Sequence, residues 1–275
     1  MIDLHTHTTC SDGSLTPTEL IKKAKEIGLN AIAITDHDTL AGLKEGKNAA
    51  QKESIRFIPG VELEIAHSFK GEFHLLGLGL KDLEGNLKST LENIRGFREV
   101  RNLEIIRLMQ KDNLKITYDD VKLIAGGDVI ARPHFSKCLV NAGYAKNQNS
   151  AFKDFLNPGS PYYVSKKALD LDVAISLIHD AGGKAIIAHP QSLYISWGKL
   201  PNILKEYREM GLDGIEAWHG GNKKKDCEKF EKIASDLRLI VSGGSDYHGN
   251  NIKGRTLGIG AGERNIPDIF LSNFI

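Results

Sequence analysis

The most constraining feature of this sequence is a series of short, β-branched apolar runs set between helical patterns. The runs read MIDL, NAIAIT, RFIPGVELEI, FHLLGLGL, KAIIAH, GIEA and LRLIVSGG. Most are continuous rather than alternating, as expected for strands covered on both faces. Strand, helix and strand in repetition predict a parallel α/β sheet, open or closed into a barrel. The first helix has clear punctuation. Thr16 is the expected N-cap, Pro17 takes the first helical position and Glu19 closes a T-x-x-E capping box. Leu20, Ile21, Ala24 and Ile27 form its apolar face, and Gly28 is its expected stop. DLDVAISLIHDAGGKAIIAH repeats the helix-to-strand unit, again with glycine at the helix end.

Between about Leu83 and Lys166 the rhythm changes and helical patterns dominate. This predicts an α/β parent, residues 1–82 and 167–275, carrying a helical insertion at 83–166. A chain of 275 residues, 41% of them hydrophobic, is long enough to support that arrangement. The net charge of +1 gives no general reason to expect long nucleic acid or an anionic membrane as the main partner. No stretch approaches a membrane span, and MIDLHTH lacks the regions of a signal peptide. Cys10, Cys138 and Cys227 are scattered, which suits a reducing cytosol, so a cytoplasmic protein is expected. Nothing in the chain points to an obligate protein partner.

Ionisable residues cluster around the apolar runs. His5 and His7 stand two apart, so a strand would turn both to one face, where two imidazoles can grip one ion. An isolated H-x-H pair is otherwise a pair of surface histidines. Here AIAITDHD ends in Asp36, His37 and Asp38, and FIPGVELEI carries Glu62. FHLLG carries His74, ARPHF carries His134, IIAHP carries His189, and VSGGSDYHG ends in Asp246 and His248. Active sites of parallel α/β folds collect at the carboxyl ends of strands, so these residues are expected to converge. A buried carboxylate without a partner costs several kcal/mol, and metal ions supply the missing charge. Imidazole and carboxylate donors suit zinc, manganese or iron, and their number suits two or three ions rather than one.

DLHTHTTCSDG, ITDHDT, GVE, HLLG, RPHF, AHP and SDYHG, in this order, resemble the motifs of the PHP (polymerase and histidinol phosphatase) family. The resemblance runs along essentially the whole chain. It implies a distorted (β/α)7 barrel with a trinuclear metal site. Carried over by motif, the first metal takes His5, His7, Glu62 and Asp246, and the second takes Asp12, His37 and His248. The third takes Glu62, His74 and His134, with Glu62 bridging. The insertion carrying ARPHF resembles a stand-alone bacterial subgroup acting on nucleoside 3′,5′-bisphosphates and, in some members, on 5′ ends of short RNA. The implied activity is hydrolysis of phosphate monoesters by a metal-bridging hydroxide, with a small phosphorylated nucleotide or short oligonucleotide as substrate. The insertion would cover the active site.

Competing readings are a 5′-exonuclease on short RNA, a histidinol-phosphate phosphatase and a non-catalytic metal-binding module. His189 is read as a phosphate contact or general acid, against a hydrogen-bonded rim histidine. Arg132 is read as a clamp on a substrate phosphate, against a salt bridge within the insertion. Asp36 and Asp38 are placed to orient a ligand histidine. His67 and His179 are read as structural, and the roles of His219 and Arg255 stay open.

Overall fold

The computed structural model describes residues 1–125, 130–165 and 168–274. The chain divides into two compact units, Met1–Leu91 with Ala168–Ile275, and Glu92–Lys167.

The first unit is built on a sheet whose strands lie in chain order. They are β1 Ile2–Asp3, β2 Ala31–Ile34, β3 Arg56–Glu64, β4 His74–Leu78, β5 Lys184–Ile187, β6 Gly214–His219 and β7 Ile240–Gly244. Each expected apolar run forms one of them. The sheet closes on itself between β1 and β7. Leu4 N–H donates to the Gly243 carbonyl (3.2 Å), Asp246 N–H to that of His5 (3.0 Å) and His7 N–H to that of Tyr247 (2.9 Å). This is a distorted (β/α)7 barrel.

The distortion lies in β4. It pairs antiparallel with both β3 and β5, whereas β1–β2–β3 and β5–β6–β7 are parallel. The strand–helix–strand rhythm that predicts parallel pairing breaks only here, because the β3–β4 connection is a hairpin and admits no crossover. Alternate strand residues, Ile2 and Leu4, Ala31 and Ala33, Leu76 and Leu78, Ile186 and Ala188, share one core cluster with Phe270 and Phe274. Ile32, Ile34 and Leu75 are equally buried outside that cluster, which is why the runs are apolar without alternation.

Helices α1 Pro17–Glu26, α2 Leu43–Glu53, α7 Leu171–Asp180, α8 Leu200–Glu209 and α9 Lys224–Leu237 accompany the strands. The expected capping box of α1 is present: Glu19 N–H donates to Thr16 Oγ1 (3.2 Å) and Thr16 N–H to Glu19 Oε2 (2.8 Å). The chain passes to the second unit, which starts at Glu92, inside α3 Asn86–Lys111. Helices α4 Tyr118–Ala125, α5 Arg132–Asn141 and α6 Gln148–Ala151 complete it. Its core includes Ile105, Met109, Val121, Phe135, Leu139 and Leu156. The expected boundary at 166/167 lies outside the described residues.

Candidate metal centre

The end of β1 supplies two imidazoles by strand alternation. Between His5 and His7, Thr6 donates its hydroxyl to the Ala33 carbonyl of β2. His5 and His7 are fully buried, and their Nε2 atoms stand 3.1 Å apart. The hydrogen-bond partners assign the protons. His5 Nδ1 donates to Glu216 Oε1 at 3.0 Å, which leaves the Nε2 lone pair aimed inward.

Glu62, near the end of β3, is the hub. Its buried Oε2 lies 3.3 Å from His5 Nε2, 3.2 Å from His7 Nε2 and 3.0 Å from His37 Nδ1. Its Oε1 lies 3.1 Å from His74 Nδ1 and 2.9 Å from His189 Nε2. His37 follows β2 and reaches Glu62 by a parallel bridge. His74 precedes its apolar run instead of following it. Because β4 is antiparallel, its first residue sits opposite Glu64, at the same barrel end as the parallel strands' last residues.

The loops after β1 and β7 add the rest. Asp246 Oδ1 is 3.5 Å from His5 Nε2, 3.4 Å from His7 Nε2 and 3.5 Å from His248 Nδ1. Asp12 Oδ1 is 3.3 Å from His248 Nε2 and its Oδ2 is 3.9 Å from His37 Nε2. Among the described residues, four sets of donors converge closely enough to hold a cation: His7, Asp12, His37 and His248; His5, His7 and Asp246; His37, Glu62 and His74; His5, Glu62 and His189. His134 and Arg132 belong to the second unit. There His134 Nδ1 accepts Ala131 N–H (3.0 Å), and the Arg132 guanidinium lies 6.0 Å from the Tyr163 ring centre.

His189 takes a strained backbone, φ 27° and ψ 62°, where β5 ends. Ser192 Oγ donates to the Glu72 carbonyl (2.9 Å), so it accepts from His189 Nδ1 (2.7 Å). The proton of a neutral His189 is therefore on Nδ1, and the Nε2 lone pair faces Glu62 Oε1. Lone pairs on both sides of one carboxylate call for a cation between them.

The electrostatics agree. Burial opposes charge on Glu62, yet His37, His5 and His74 hold its carboxyl well below the usual range. Asp246 is likewise held well below its ordinary value against burial, by the neighbouring His219 and His7 rings. Burial also opposes charge on His7 and His74. The adjacent Asp246 and Glu62 carboxylates nevertheless raise His7 to about 10, and Glu62 raises His74 to about 9. Burial lowers His37 to about 3. Two protonated Nε2 atoms cannot face each other 3.1 Å apart, so one cation satisfies His5 and His7 better than two protons. Glu62 Oε2, buried and without a hydrogen bond, points to the same conclusion. The donor set fits a divalent metal centre.

Several supporting residues are absent from the sequence-level site. Glu216, buried in β6, accepts from His5 Nδ1 and, through Oε2, from His189 N–H (2.8 Å). Asp3 accepts from the backbone N–H groups of His5, Ser245 and Gly258, tying β1 to the loops after β7. A lone carboxylate in GIEA or MIDL is the signal for both, since such a group needs a buried partner. The hydrogen bonds of Asp36 go to Thr8 and Ser11, so it braces the ligand loop rather than a histidine ring. Asp38 Oδ1 accepts Glu64 N–H at 3.2 Å. His67 stacks on Phe69 and His179 pairs with Asp213.

Comparison with known proteins decides the family. The PHP domain model matches residues 3–168. This chain belongs to the PHP domain family. It is 35% identical over 246 residues to a 5′-3′ exoribonuclease of Haemophilus influenzae, covering 90% of this chain and 89% of that protein. It is 34% identical over 258 residues to a 3′,5′-nucleoside bisphosphate phosphatase of Chromobacterium violaceum, covering 94% and 90%. A solved Bifidobacterium adolescentis structure, assigned to the metal-dependent phosphoesterases, superposes with TM-score 0.83 at 30% identity, covering 99% and 94%. This PHP protein is a hydrolase acting on phosphoester bonds. Among the described residues, no helix is long and apolar enough to cross a membrane.

Proposed function

We propose that this PHP protein removes the 3′-phosphate of nucleoside 3′,5′-bisphosphates, using two or three divalent ions of manganese, iron or zinc. The observation that carries this reading is the convergence of inward-facing imidazole nitrogens on the two oxygens of Glu62. The substrate class is supported by the 34% identity to the bisphosphate phosphatase. His5, His7, Glu62 and Asp246 would hold one ion, and Asp12, His37 and His248 a second. Glu62 and His74 would hold a third, completed by His134 in the motif reading. The lone pair that His189 turns toward Glu62 Oε1 supports His189 in that place, as a ligand rather than a general acid.

Divalent ions there supply positive charge to the phosphoryl oxygens and lower the pKa of water. The chain's own residues do the positioning. Glu216 keeps the His5 proton on Nδ1, and Ser192 does the same for His189. Arg132 is assigned to a substrate phosphate, and the insertion at 83–166 to substrate selection. Hydrolysis of short RNA from its 5′ end is the second reading, favoured by the 35% identity to the exoribonuclease. Phosphate release by manganese-loaded protein from adenosine 3′,5′-bisphosphate tests the proposal, with AMP, histidinol phosphate and a short 5′-phosphorylated RNA in parallel. Selective release from the bisphosphate is expected. Preference for RNA or histidinol phosphate would move the assignment, and silence on all four would sink it.

A further inference from the structure

Beside the metal centre, within the first unit, lies a cavity of about 350 Å³. That is the size of a small-ligand site, ~300–1,000 Å³. Asp246 forms part of the shared wall: its Oδ1 faces the clustered histidines, and its Oδ2 faces His219 and Arg255. Both residues line the cavity.

His219 is only 3% exposed. Its Nδ1 accepts Gly221 N–H at 3.2 Å, so a neutral ring carries its proton on Nε2. That Nε2 has no hydrogen-bond partner, and Asp246 Oδ2 stands off at 3.5 Å. The Arg255 Nε is likewise buried and without a hydrogen bond, 3.6 Å from the same oxygen. Its guanidinium lies against the backbone of Gly221, where a Cβ would come within 2.6 Å of Nη1. The second glycine of WHGG is therefore what admits the guanidinium. Lys223, which also lines the cavity, precedes the first residue of α9, whose amino end adds positive potential.

The cavity is not uniformly cationic. Glu72 and Asp226 line it too, and Tyr194 stands 81% exposed at its edge. Donors for an anion, acceptors for hydroxyl or amino groups, and an open aromatic face together match a nucleoside phosphate rather than a bare anion.

We propose that this cavity seats the nucleoside part of the substrate and that His219 Nε2 and Arg255 hold the phosphate remote from the one being hydrolysed. The proposal rests on the bisphosphatase reading. The rival account is that both residues merely orient Asp246.

The test uses the manganese-loaded full chain. Binding of AMP and of adenosine is measured by calorimetry for wild type, Arg255→Gln and Arg255→Lys, with metal content by mass spectrometry. KM is compared for adenosine 3′,5′-bisphosphate and adenosine 3′-phosphate. In Arg255→Gln, AMP affinity should fall at least tenfold and the KM preference for the bisphosphate should shrink at least tenfold, with metal content kept. Arg255→Lys should recover part of both. Loss of metal, or an equal loss on both substrates, would assign Arg255 to Asp246 and overturn the proposal. So would AMP affinity within twofold of wild type, or no AMP binding by wild type. Wild type that binds AMP through Arg255 but releases no phosphate from the bisphosphate would overturn the bisphosphatase reading and leave the cavity a nucleotide site.

Discussion

At the scale of single residues, Glu62 and Glu216 do different work with the same carboxylate. Glu62 faces five imidazoles, and Glu62→Gln would replace one acceptor oxygen with a donor. We expect this variant to lose at least one ion per chain, read by mass spectrometry, and activity to fall at least ~100-fold, more than loss of an outer partner. Glu216 touches no ion in this reading, but it sets the tautomer of His5 and holds the His189 backbone. Glu216→Gln should weaken metal affinity by ~10–100-fold in a chelator competition, with the far-ultraviolet spectrum retained. Unchanged affinity would refute its positioning role. The ligand candidates were legible because their motifs occur jointly and in order. Glu216 was not, because the partner that gives it meaning stands 211 positions away.

At the scale of elements, barrel closure delivers the ligands. Gly244 of β7 approaches β1 so closely that a Cβ would stand 2.2 Å from His5 Cβ. Gly244→Ala should cost about 1–3 kcal/mol, read by urea unfolding, and weaken metal binding through displaced His5. Asp213 does the corresponding work at the other end of the sheet. It accepts Ala185 N–H of β5 (2.9 Å), His179 Nε2 of α7 (2.7 Å) and Lys184 Nζ (2.9 Å). Asp213→Ala should cost about 1–3 kcal/mol near neutral pH, mainly by orphaning Ala185 N–H. Burial opposes the Asp213 charge, but these bonds hold its carboxyl below the usual value. Its contribution is therefore present above the unfolded value and lost as pH falls through the folded one, so the cost of Asp213→Ala should shrink in acid.

At the scale of the whole molecule, metal and proton compete for one cluster. In metal-free protein, His7 at about 10 and His74 at about 9 lie above their ordinary value of 6.5. A raised folded-state pKa contributes stability that is complete below about 6.5 and is lost as pH rises through the folded value. The Tm of metal-free protein should therefore fall between pH 6.5 and 10. Loaded protein should fall less, because ions have replaced those protons. Ion at a hundredfold excess over Kd should add about 2.7 kcal/mol to unfolding. Parallel curves for chelated and loaded protein would contradict this coupling.

The sequence by itself determined the strand runs, the capped first helix, the family and a roster of donors. These depend on neighbours a few residues apart or on motifs with their own spacing. The tertiary structure decided that β4 runs antiparallel, which turns His74 toward the donors that follow parallel strands. It also decided that His189 aims a lone pair at Glu62, and that Glu216 and Asp3 support residues distant in the chain. The reason is physical: a hydrogen bond or an ion pair is defined by two atoms in space. Local sequence specifies only one of them at a time.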